Sequence, residues 1–462
     1  MENNRGSFRG SIGFVLAAAG SAVGLGNIWR FPYLAARDGG GLFLVVYLIL
    51  LVTFGFALLT TEIAIGRKTK QSPHTAYRQL DKRWGWIGVF SSLVPFIILP
   101  YYCVIGGWVL KYFLAFVTGH GLDAAGDDYF TGFITAQWQP IILMVIFLAA
   151  CAVVIFKGVS NGIEKFSKIL MPILIVLILC VAIFSLFVRS TNEAGETVTG
   201  LQGLKVYLVP DLEGVGLKEL FLVIMDACGQ LFFSLSVAMG IMVAYGSYVP
   251  DEINLSSSIN KIEIFDTLVA FLAGMMIIPA VYVFMGVEGM SAGPSLMFVS
   301  LPKVFAEMGS IGNVVGTFFF AMVLFAAVTS GVSILEAIVS SMIDGLKMKR
   351  TNAVIVETVI ALALGIVVCL GYNKWYFEVN LPNGSVGQIL DLFDYVSNNI
   401  LMPIVAISTC ILAGWVIKPK TIIDEVTLNG ERFGREKLYV VMIKYITPVI
   451  LAFLFLMSLG IM

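Results

Sequence analysis

The sequence predicts an all-α integral membrane protein, built as one bundle of eleven transmembrane helices. Of its 462 residues, 58% are hydrophobic and only 13% are charged, about half the charged share of ordinary soluble domains, and the mean hydropathy is +0.93. At about 20 residues for each crossing, eleven helices take up roughly 220 residues, close to half of the chain. This composition excludes a soluble enzyme, a nucleic-acid-binding protein and a disordered scaffold. The net charge of −1 gives no sign of a polyanionic partner.

Apolar stretches separated by polar loops define the spans, which we number in chain order. The whole chain, 1–462, is expected to form a single domain embedded in the lipid bilayer. The predicted spans 1 to 11 are 11–36, 41–66, 86–117, 139–156, 162–188, 218–248, 262–288, 312–345, 352–372, 387–416 and 438–460.

The Lys and Arg residues of the loops predict the orientation, because cytoplasmic loops carry the excess of positive charge. Most of them lie on the side of the N-terminus, for example in the loops at 67–83 and 347–350. The N-terminus is therefore expected in the cytoplasm, and an odd number of spans places the C-terminus across the plasma membrane. The first apolar run is too long for a cleavable signal peptide.

Cysteine and histidine give no sign of catalysis or of a transition-metal site. The six cysteines all fall in apolar stretches and the two histidines lie in loops, which indicates buried small side chains rather than disulfides or zinc ligands. The sequence has no Ser-His-Asp pattern and no phosphate-binding loop, so an enzyme is not expected.

Span 1 has the wrong composition for a simple membrane anchor. Gly20, Gly24 and Gly26 each weaken a helix by about 1 kcal/mol relative to Ala, and Asn27 and Arg30 are costly at membrane depth. A Gly-rich packing face with a snorkelling Arg is the simpler alternative. The cluster fits a helix interrupted in mid-membrane better, because unwound backbone offers carbonyls to a cation and N–H groups to an anion.

Span 6 repeats this pattern, since Gln230, Ser234 and Ser236 stand among large apolar residues and Gly240 follows. Two polar-interrupted spans, five spans apart, are typical of transporters built from inverted repeats. We therefore expect a first repeat over 11–188 (spans 1–5), an inverted second repeat over 218–416 (spans 6–10), and span 11 at 438–460 as an added helix.

Several segments resemble the neurotransmitter:sodium symporter family at compatible spacing over nearly the whole chain. They are Gly20 to Pro32, Gly39-Gly40-Gly41, Glu62, Tyr101-Tyr102, Gln230 to Ser236, and Ala326-Ala327-Val328-Thr329-Ser330. The chain looks most similar to the bacterial amino-acid branch, whose members include carriers of leucine and of many hydrophobic amino acids. The resemblance implies a sodium-coupled secondary active symporter that works by alternating access.

Two sodium sites are implied by the resemblance, and both consist of hard oxygen donors, as a small hard cation requires. The first would use Ala22, Asn27, Ser234 and Asp266 together with the carboxylate of the substrate. The second would use Gly20, Val23, Ala326, Thr329 and Ser330. Taken alone, the hydroxyls of Thr329 and Ser330 would indicate only bonds to their own helix.

Chloride-dependent relatives hold an anion near the first sodium, and Tyr47, Gln230 and Ser234 match that pattern. Asp266 departs from much of the family, where an amide is common at this place. Because Asp266 brings its own negative charge, we expect chloride-independent transport, with Asp266 as a candidate for protonation on the return step. The alternative is a carboxylate paired with Lys261 or Lys444.

The resemblance also predicts the substrate. Monoamine transporters of the family carry an aspartate at the position of Gly24, and the absence of a side chain here leaves room for a substrate carboxylate. The carried-over binding residues are apolar or neutral, so we expect aromatic or branched L-amino acids. They are Ala22, Gly24, Gly26, Ile98, Tyr102, Phe233, Ser234, Ser236, Met239, Ser330 and Ile334.

Two gates are implied as well. On the outer side Arg30 would pair with Asp394, or alternatively with Asp391, and on the inner side Arg5 would pair with Asp344. Phe8 would act as an apolar plug beside the inner pair, and Gly162 and Pro172 would let span 5 unwind. A receptor that binds amino acid without moving it, or an ion channel, are the alternative functions. The oligomeric state is not predicted.

Overall fold

The computed structural model describes residues 6–191, 195–290 and 293–461, and these are mostly helical. The α-helices are Ser11–Ala22, Leu25–Ile28, Arg30–Arg37, Gly41–Leu50, Phe56–Thr69, Pro73–Leu80, Gly85–Val117, Asp127–Thr135, Gln139–Phe156, Lys165–Phe187, Gly200–Leu208, Leu217–Ser234, Ile241–Ser247, Leu255–Met285, Leu301–Glu307, Ser310–Leu346, Arg350–Leu370, Ile389–Asp394, Met402–Ile411, Pro419–Val426, Glu436–Val441 and Thr447–Ser458.

Short stretches of other helical type continue several of these helices. π-helical turns form at Leu51–Gly55, Val159–Glu164, Leu296–Ser300, Tyr395–Leu401, Leu412–Val416 and Met442–Ile446, and 3₁₀ turns at Lys82–Trp84, Gly121–Ala125 and Val287–Gly289. Two antiparallel hairpins in the loops pair Arg189–Thr191 with Thr197–Thr199 and Val379–Asn380 with Val386–Gly387.

The helices agree closely with the predicted spans. Nine helices of the described part are long and apolar enough to cross a membrane, and the bent pair Ser11–Ala22 and Leu25–Arg37 makes ten. The predicted span 6 is divided, with Leu217–Ser234 and Ile241–Ser247 on either side of a non-helical segment. The fold is that of a helical membrane protein, whereas the total of eleven and the inverted repeat stay predictions.

Both interruptions predicted from polar composition are present. The two halves of span 1 meet at 62°, and Gly24 between them is extended. In span 6 the helix stops at Ser234 and resumes after Gly240, and Ser236, Ala238 and Gly240 all have positive φ. Positive φ is strained for Ser and Ala, so neighbouring groups must hold this loop.

Span 2 supplies one such group. The carboxylate of Glu62, buried inside the bundle, accepts a hydrogen bond from the backbone N–H of Ala238 at 2.6 Å. The two interruptions also hold each other, since the hydroxyl of Ser21 donates to that of Ser236 at 3.1 Å. The unwound segments therefore lie side by side near the centre of the bundle, next to spans 3 and 8, which pack against one another.

Candidate functional site

A small cavity of about 30 Å³ lies where the two interrupted helices meet spans 3 and 8. All eleven predicted substrate-binding residues line it. The cavity also touches Asn27, which was predicted as a sodium ligand, and three residues that the sequence analysis missed, namely Ser21, Leu25 and Ile241. Ser21 and Leu25 belong to the Gly-rich segment of span 1 and Ile241 follows Gly240, so closeness to the interruptions was the available signal.

One end of the cavity is polar, and the absence of a side chain at Gly24 leaves space there between Ser330 and Tyr102. A Cβ added to Gly24 would lie 3.1 Å from Oγ of Ser330 and 4.0 Å from the hydroxyl of Tyr102. That hydroxyl is buried and has no hydrogen-bond partner among the described residues. An unpaired buried donor is costly, so this end is suited to a ligand that accepts hydrogen bonds.

The rest of the lining is apolar. Ile98, Met239 and Ile334 are each at most 5% exposed, and the ring of Phe233 closes one side, 2.9 Å from where a Cβ on Gly26 would stand. None of the lining residues is an acid or a base. This part of the cavity is therefore suited to an uncharged, apolar side chain.

Three of the four predicted ligands of the first sodium site contact one another directly. Asp266, with none of its surface exposed, accepts hydrogen bonds from Asn27 at 2.8 Å and from Ser234 at 2.7 Å. Ser234 also lies 3.0 Å from the amide oxygen of Asn27. Ala22, the fourth, lines the same cavity.

The surroundings of Asp266 contain polar partners but no positive charge. Tyr47 donates to its second oxygen at 3.3 Å, and no Lys or Arg of the described residues forms an ion pair with it within 4.0 Å. A buried ionised carboxylate needs a compensating cation, and the adjacent oxygens of Asn27 and Ser234 are the donors that sodium prefers. Gln230 lies nearby and donates to the carbonyl of Gly26 at 3.3 Å.

Three of the five predicted ligands of the second sodium site, Gly20, Val23 and Ser330, lie within 3.4 Å of one another through the Ser330 hydroxyl. The hydroxyl of Ser330 lies 3.4 Å from the carbonyl oxygens of Gly20 and Val23 and 3.1 Å from that of Ser21. The hydroxyl of Thr329 lies 3.0 Å from the carbonyls of Ala326 and Phe325, both in its own helix, so these bonds by themselves do not indicate an ion site. Oxygens from span 1 and span 8 thus converge where span 1 ends its first helix.

Neither site resembles one for a transition metal. The described residues contain no group of three or more His, Cys, Asp or Glu side chains placed to share an ion. The donors at both places are carbonyl, amide, hydroxyl and single carboxylate oxygens, and this set fits a weakly held alkali cation.

The predicted outer pair of Arg30 and Asp394 is not formed in this structure. No described carboxylate lies within the 4.0 Å of an ion pair from Arg30, whose guanidinium lies against Gly229 of span 6. Asp394 accepts hydrogen bonds from Tyr101 at 3.0 Å and from Asn398 at 2.6 Å.

A larger cavity of about 260 Å³ lies beside Arg30 on this outer side. Arg30 and Asn398 both line it, and the ring of Phe233 lies between it and the smaller cavity. Asp391, the alternative partner, accepts from the backbone of Gln388 at 2.8 Å at the start of its helix. Among the ion pairs that the described residues form at this end, one joins Arg37 of span 1 to Asp226 of span 6, and the sequence analysis did not predict it.

On the inner side, Arg5 lies outside the described residues, so its predicted pairing with Asp344 is not described. Asp344 is buried and accepts a hydrogen bond from the backbone of Ser72 at 2.6 Å. Phe8 is 1% exposed and packs against the rings of Tyr245 and Tyr248, which is the position expected of an apolar plug.

A buried ion pair near this plug was missed from the sequence. Glu336 of span 8 is paired with Arg350 and accepts from the hydroxyl of Tyr248 at 2.6 Å. In span 5, Gly162 lies in the π-helical turn Val159–Glu164 and Pro172 in the helix that follows, so this span departs from regular α-helix where the sequence predicted it could unwind.

Comparison with known proteins gives concordant results. The chain matches the family described as "Sodium:neurotransmitter symporter family" over residues 5–124 and 130–462. It is 32% identical to an uncharacterized sodium-dependent transporter, YhdH, of Bacillus subtilis, over 98% of this chain and 97% of that one. It is 24% identical to the rat sodium- and chloride-dependent GABA transporter 2, over 89% of this chain and 73% of the relative.

A solved structure matches along its whole length. The crystal structure of MhsT in complex with L-phenylalanine superposes with a TM-score of 0.84 at 32% sequence identity, covering 98% of this chain and 100% of MhsT.

Proposed function

We propose, because the chain belongs to the sodium:neurotransmitter symporter family, that it imports hydrophobic L-amino acids together with sodium and without chloride. Members of this family are transporters, and this protein is a multi-pass membrane transporter and not an enzyme. The family and the likeness to MhsT, whose structure contains L-phenylalanine, support sodium-coupled symport of an amino acid. The preferred side chains, the ion number and the independence from chloride are our proposal.

A single observation carries it: a cavity with one polar and one apolar end lies between two groups of converging oxygen atoms. In our proposal the substrate carboxylate lies beside Gly24 and accepts a hydrogen bond from the unpaired hydroxyl of Tyr102. Its ammonium group meets backbone carbonyls of the unwound segments, where the helices no longer use them.

Sodium at the first site would complete the carboxylate-binding end. The ion would bind Asp266, Asn27, Ser234 and the carbonyl of Ala22 and would touch the substrate carboxylate. Two ligands that contact each other raise each other's affinity by the same factor, and this couples uptake to the sodium gradient. A second sodium between Gly20, Val23, Ala326, Thr329 and Ser330 would tie span 1 to span 8.

Independence from chloride follows from the charge of Asp266. Tyr47 and Ser234, which match the family's chloride pattern, both donate to this carboxylate instead. A fixed negative charge 2.7 Å from Ser234 would repel a second anion at that place. We therefore propose that Asp266 supplies the charge that chloride supplies in chloride-dependent relatives.

Selectivity for side chains would come from Ile98, Phe233, Met239 and Ile334. A charged side chain placed here would lose its hydration without gaining a partner, whereas an aromatic or branched side chain would gain apolar contacts. Met239 can change shape at low cost, which favours several substrates over one.

Alternating access would need gates on both sides. We propose that Arg30 and Asp394 approach each other when the outer cavity beside Arg30 closes over Phe233. Arg5 and Asp344, with Phe8, would close the inner side.

Uptake into proteoliposomes tests the proposal directly. With an inward sodium gradient, radiolabelled L-leucine or L-phenylalanine should accumulate, and unlabelled aromatic and branched amino acids should compete better than glycine, glutamate or lysine. Replacing external sodium by choline should abolish accumulation, whereas replacing chloride by gluconate should leave it unchanged. Binding of amino acid without accumulation would indicate a receptor and would reject symport.

A further inference from the structure

One lysine inside a membrane span has no anionic partner. The ammonium group of Lys444 in span 11 lies 5.3 Å from the centre of the Trp415 ring, and no described carboxylate forms an ion pair with it within 4.0 Å. Trp415 and the neighbouring Tyr445 are 56% and 53% exposed on the outer surface of the bundle. A cation at a lipid-facing surface needs a counter-charge or access to water.

Contacts between spans 10 and 11 hold Trp415 against the backbone of Lys444 and the ring of Tyr445. The indole of Trp415 donates to the carbonyl of Lys444 at 3.2 Å, and Pro448, four residues later, has no N–H to offer that carbonyl. The ring of Tyr445 stands edge-on to that of Trp415, with centroids 5.7 Å apart. Gly414 lets the helices approach closely, since a Cβ there would lie 3.2 Å from Cα of Lys444.

The position of Trp415 at the end of span 10 favours the level of lipid headgroups. Trp415 is one residue from the end of the π-helical turn Leu412–Val416, which ends span 10, and Trp and Tyr are enriched at this level of a membrane. Lys418 follows and is also exposed. The end of the bundle concerned is the one that we expect to face the cytoplasm, where the leaflet carries anionic lipids.

We propose that Lys444, Tyr445 and Trp415 form a binding site for the phosphate group of an anionic phospholipid such as phosphatidylglycerol. The phosphate accepts from the ammonium group of Lys444 and from the hydroxyl of Tyr445. An acyl chain then runs toward the membrane centre along the exposed side chain of Val449, five residues further along the same span. The site lies outside the substrate cavity and depends on the predicted orientation, not on the transported substrate.

Another lysine of the chain provides a matched control. Lys111 in span 3 also lies over aromatic rings, 5.3 Å from that of Tyr129 and 5.7 Å from that of Phe133. These rings belong to the loop helix Asp127–Thr135, at the opposite end of the bundle. Lys111 therefore shares the cation–π contact but lies at the end of the bundle opposite to the one that we expect to face the cytoplasmic leaflet.

Native mass spectrometry of the purified full chain, titrated with phosphatidylglycerol or phosphatidylcholine in detergent, tests the site. The wild-type protein should retain phosphatidylglycerol in preference to phosphatidylcholine. Lys444→Gln should weaken that binding about fivefold, which corresponds to about 1 kcal/mol for one Lys at an anionic surface. Tyr445→Phe should give a smaller loss, and Lys111→Gln should bind as the wild type does.

Three results would overturn the proposal. Unchanged binding in Lys444→Gln would show that the lipid binds elsewhere, and an equal loss in Lys111→Gln would show that only net charge matters. If inorganic phosphate at millimolar concentration displaces the lipid completely, the site recognises a free anion and not a lipid. Because this readout is binding of lipid, it is independent of whether the protein transports amino acids.

Discussion

The clearest test of the proposed second sodium site is Ser330→Ala. This change removes one hydroxyl oxygen and keeps the Cβ, so the shape of the 5%-exposed position is nearly unchanged. The lost oxygen lies 3.1–3.4 Å from the carbonyls of Gly20, Ser21 and Val23. A contact with a charged partner contributes about 1.5–3 kcal/mol, and every 1.4 kcal/mol is a factor of ten in affinity. Half-saturating sodium should therefore rise about 10- to 150-fold.

The assay is equilibrium binding of radiolabelled L-leucine to purified protein across a sodium titration, followed by uptake into proteoliposomes. High sodium should restore much of the substrate binding in Ser330→Ala, because the loss concerns the ion. Ser340→Ala is the matched control, since this buried serine of the same helix bonds only to its own turn, at the carbonyl of Ala337. An unchanged sodium dependence in Ser330→Ala, or an equal change in the control, would refute the assignment.

Three further changes probe the rest of the structure. Gly24→Asp should reduce L-leucine uptake more than 100-fold. The Cβ of the aspartate would come within 3.1 Å of Oγ of Ser330, and its charge would repel the substrate carboxylate. Uptake at even a tenth of the wild-type rate would contradict the placement of that carboxylate beside Gly24. Asp266→Asn should make uptake depend on chloride, which is measured by comparing uptake in chloride buffer with uptake in gluconate buffer. If uptake by this variant is as independent of chloride as that of the wild type, Asp266 does not replace the charge of chloride. Glu425→Ala should lower the free energy of unfolding by about 3–5 kcal/mol, because the fully buried Arg67 would lose its ion-pair partner at 2.7 Å. Asp251→Ala, the control, breaks the exposed pair with Lys70 and should lower it by only about 0–1 kcal/mol. Equal thermal melting of the two variants would show that burial of the pair is immaterial.

The spans and their interruptions could be predicted from the sequence because local composition decides them. A helix that must cross hydrocarbon needs a long apolar run, so the limits of the spans follow from hydropathy. Gly24 in span 1, and Ser236 and Gly240 in span 6, weaken the helix where they stand, and the structure interrupts both helices there. The residues that line the cavity are mostly neighbours of these interruptions.

The resemblance to a family also predicted which residues, far apart in the chain, come together in one site. Asn27, Ser234 and Asp266 come from three different spans, and no local pattern links them. Only the resemblance to the family predicted that they would meet. The structure brings them within 3.0 Å of one another.

Only the tertiary structure decided which charged groups pair. Arg30 was expected to pair with Asp394, yet no ion pair joins them in this structure and Arg30 lies against Gly229, while Arg37 pairs with Asp226 and Glu336 with Arg350. Charge alone names candidates but not partners, because an ion pair depends on how helices lie and rotate against their neighbours. For this protein the sequence determined where the chain crosses the membrane and where it unwinds, since both depend on local solvation of the backbone. The partners of its buried charges were decided by packing between distant segments, which brings two side chains within reach or keeps them apart.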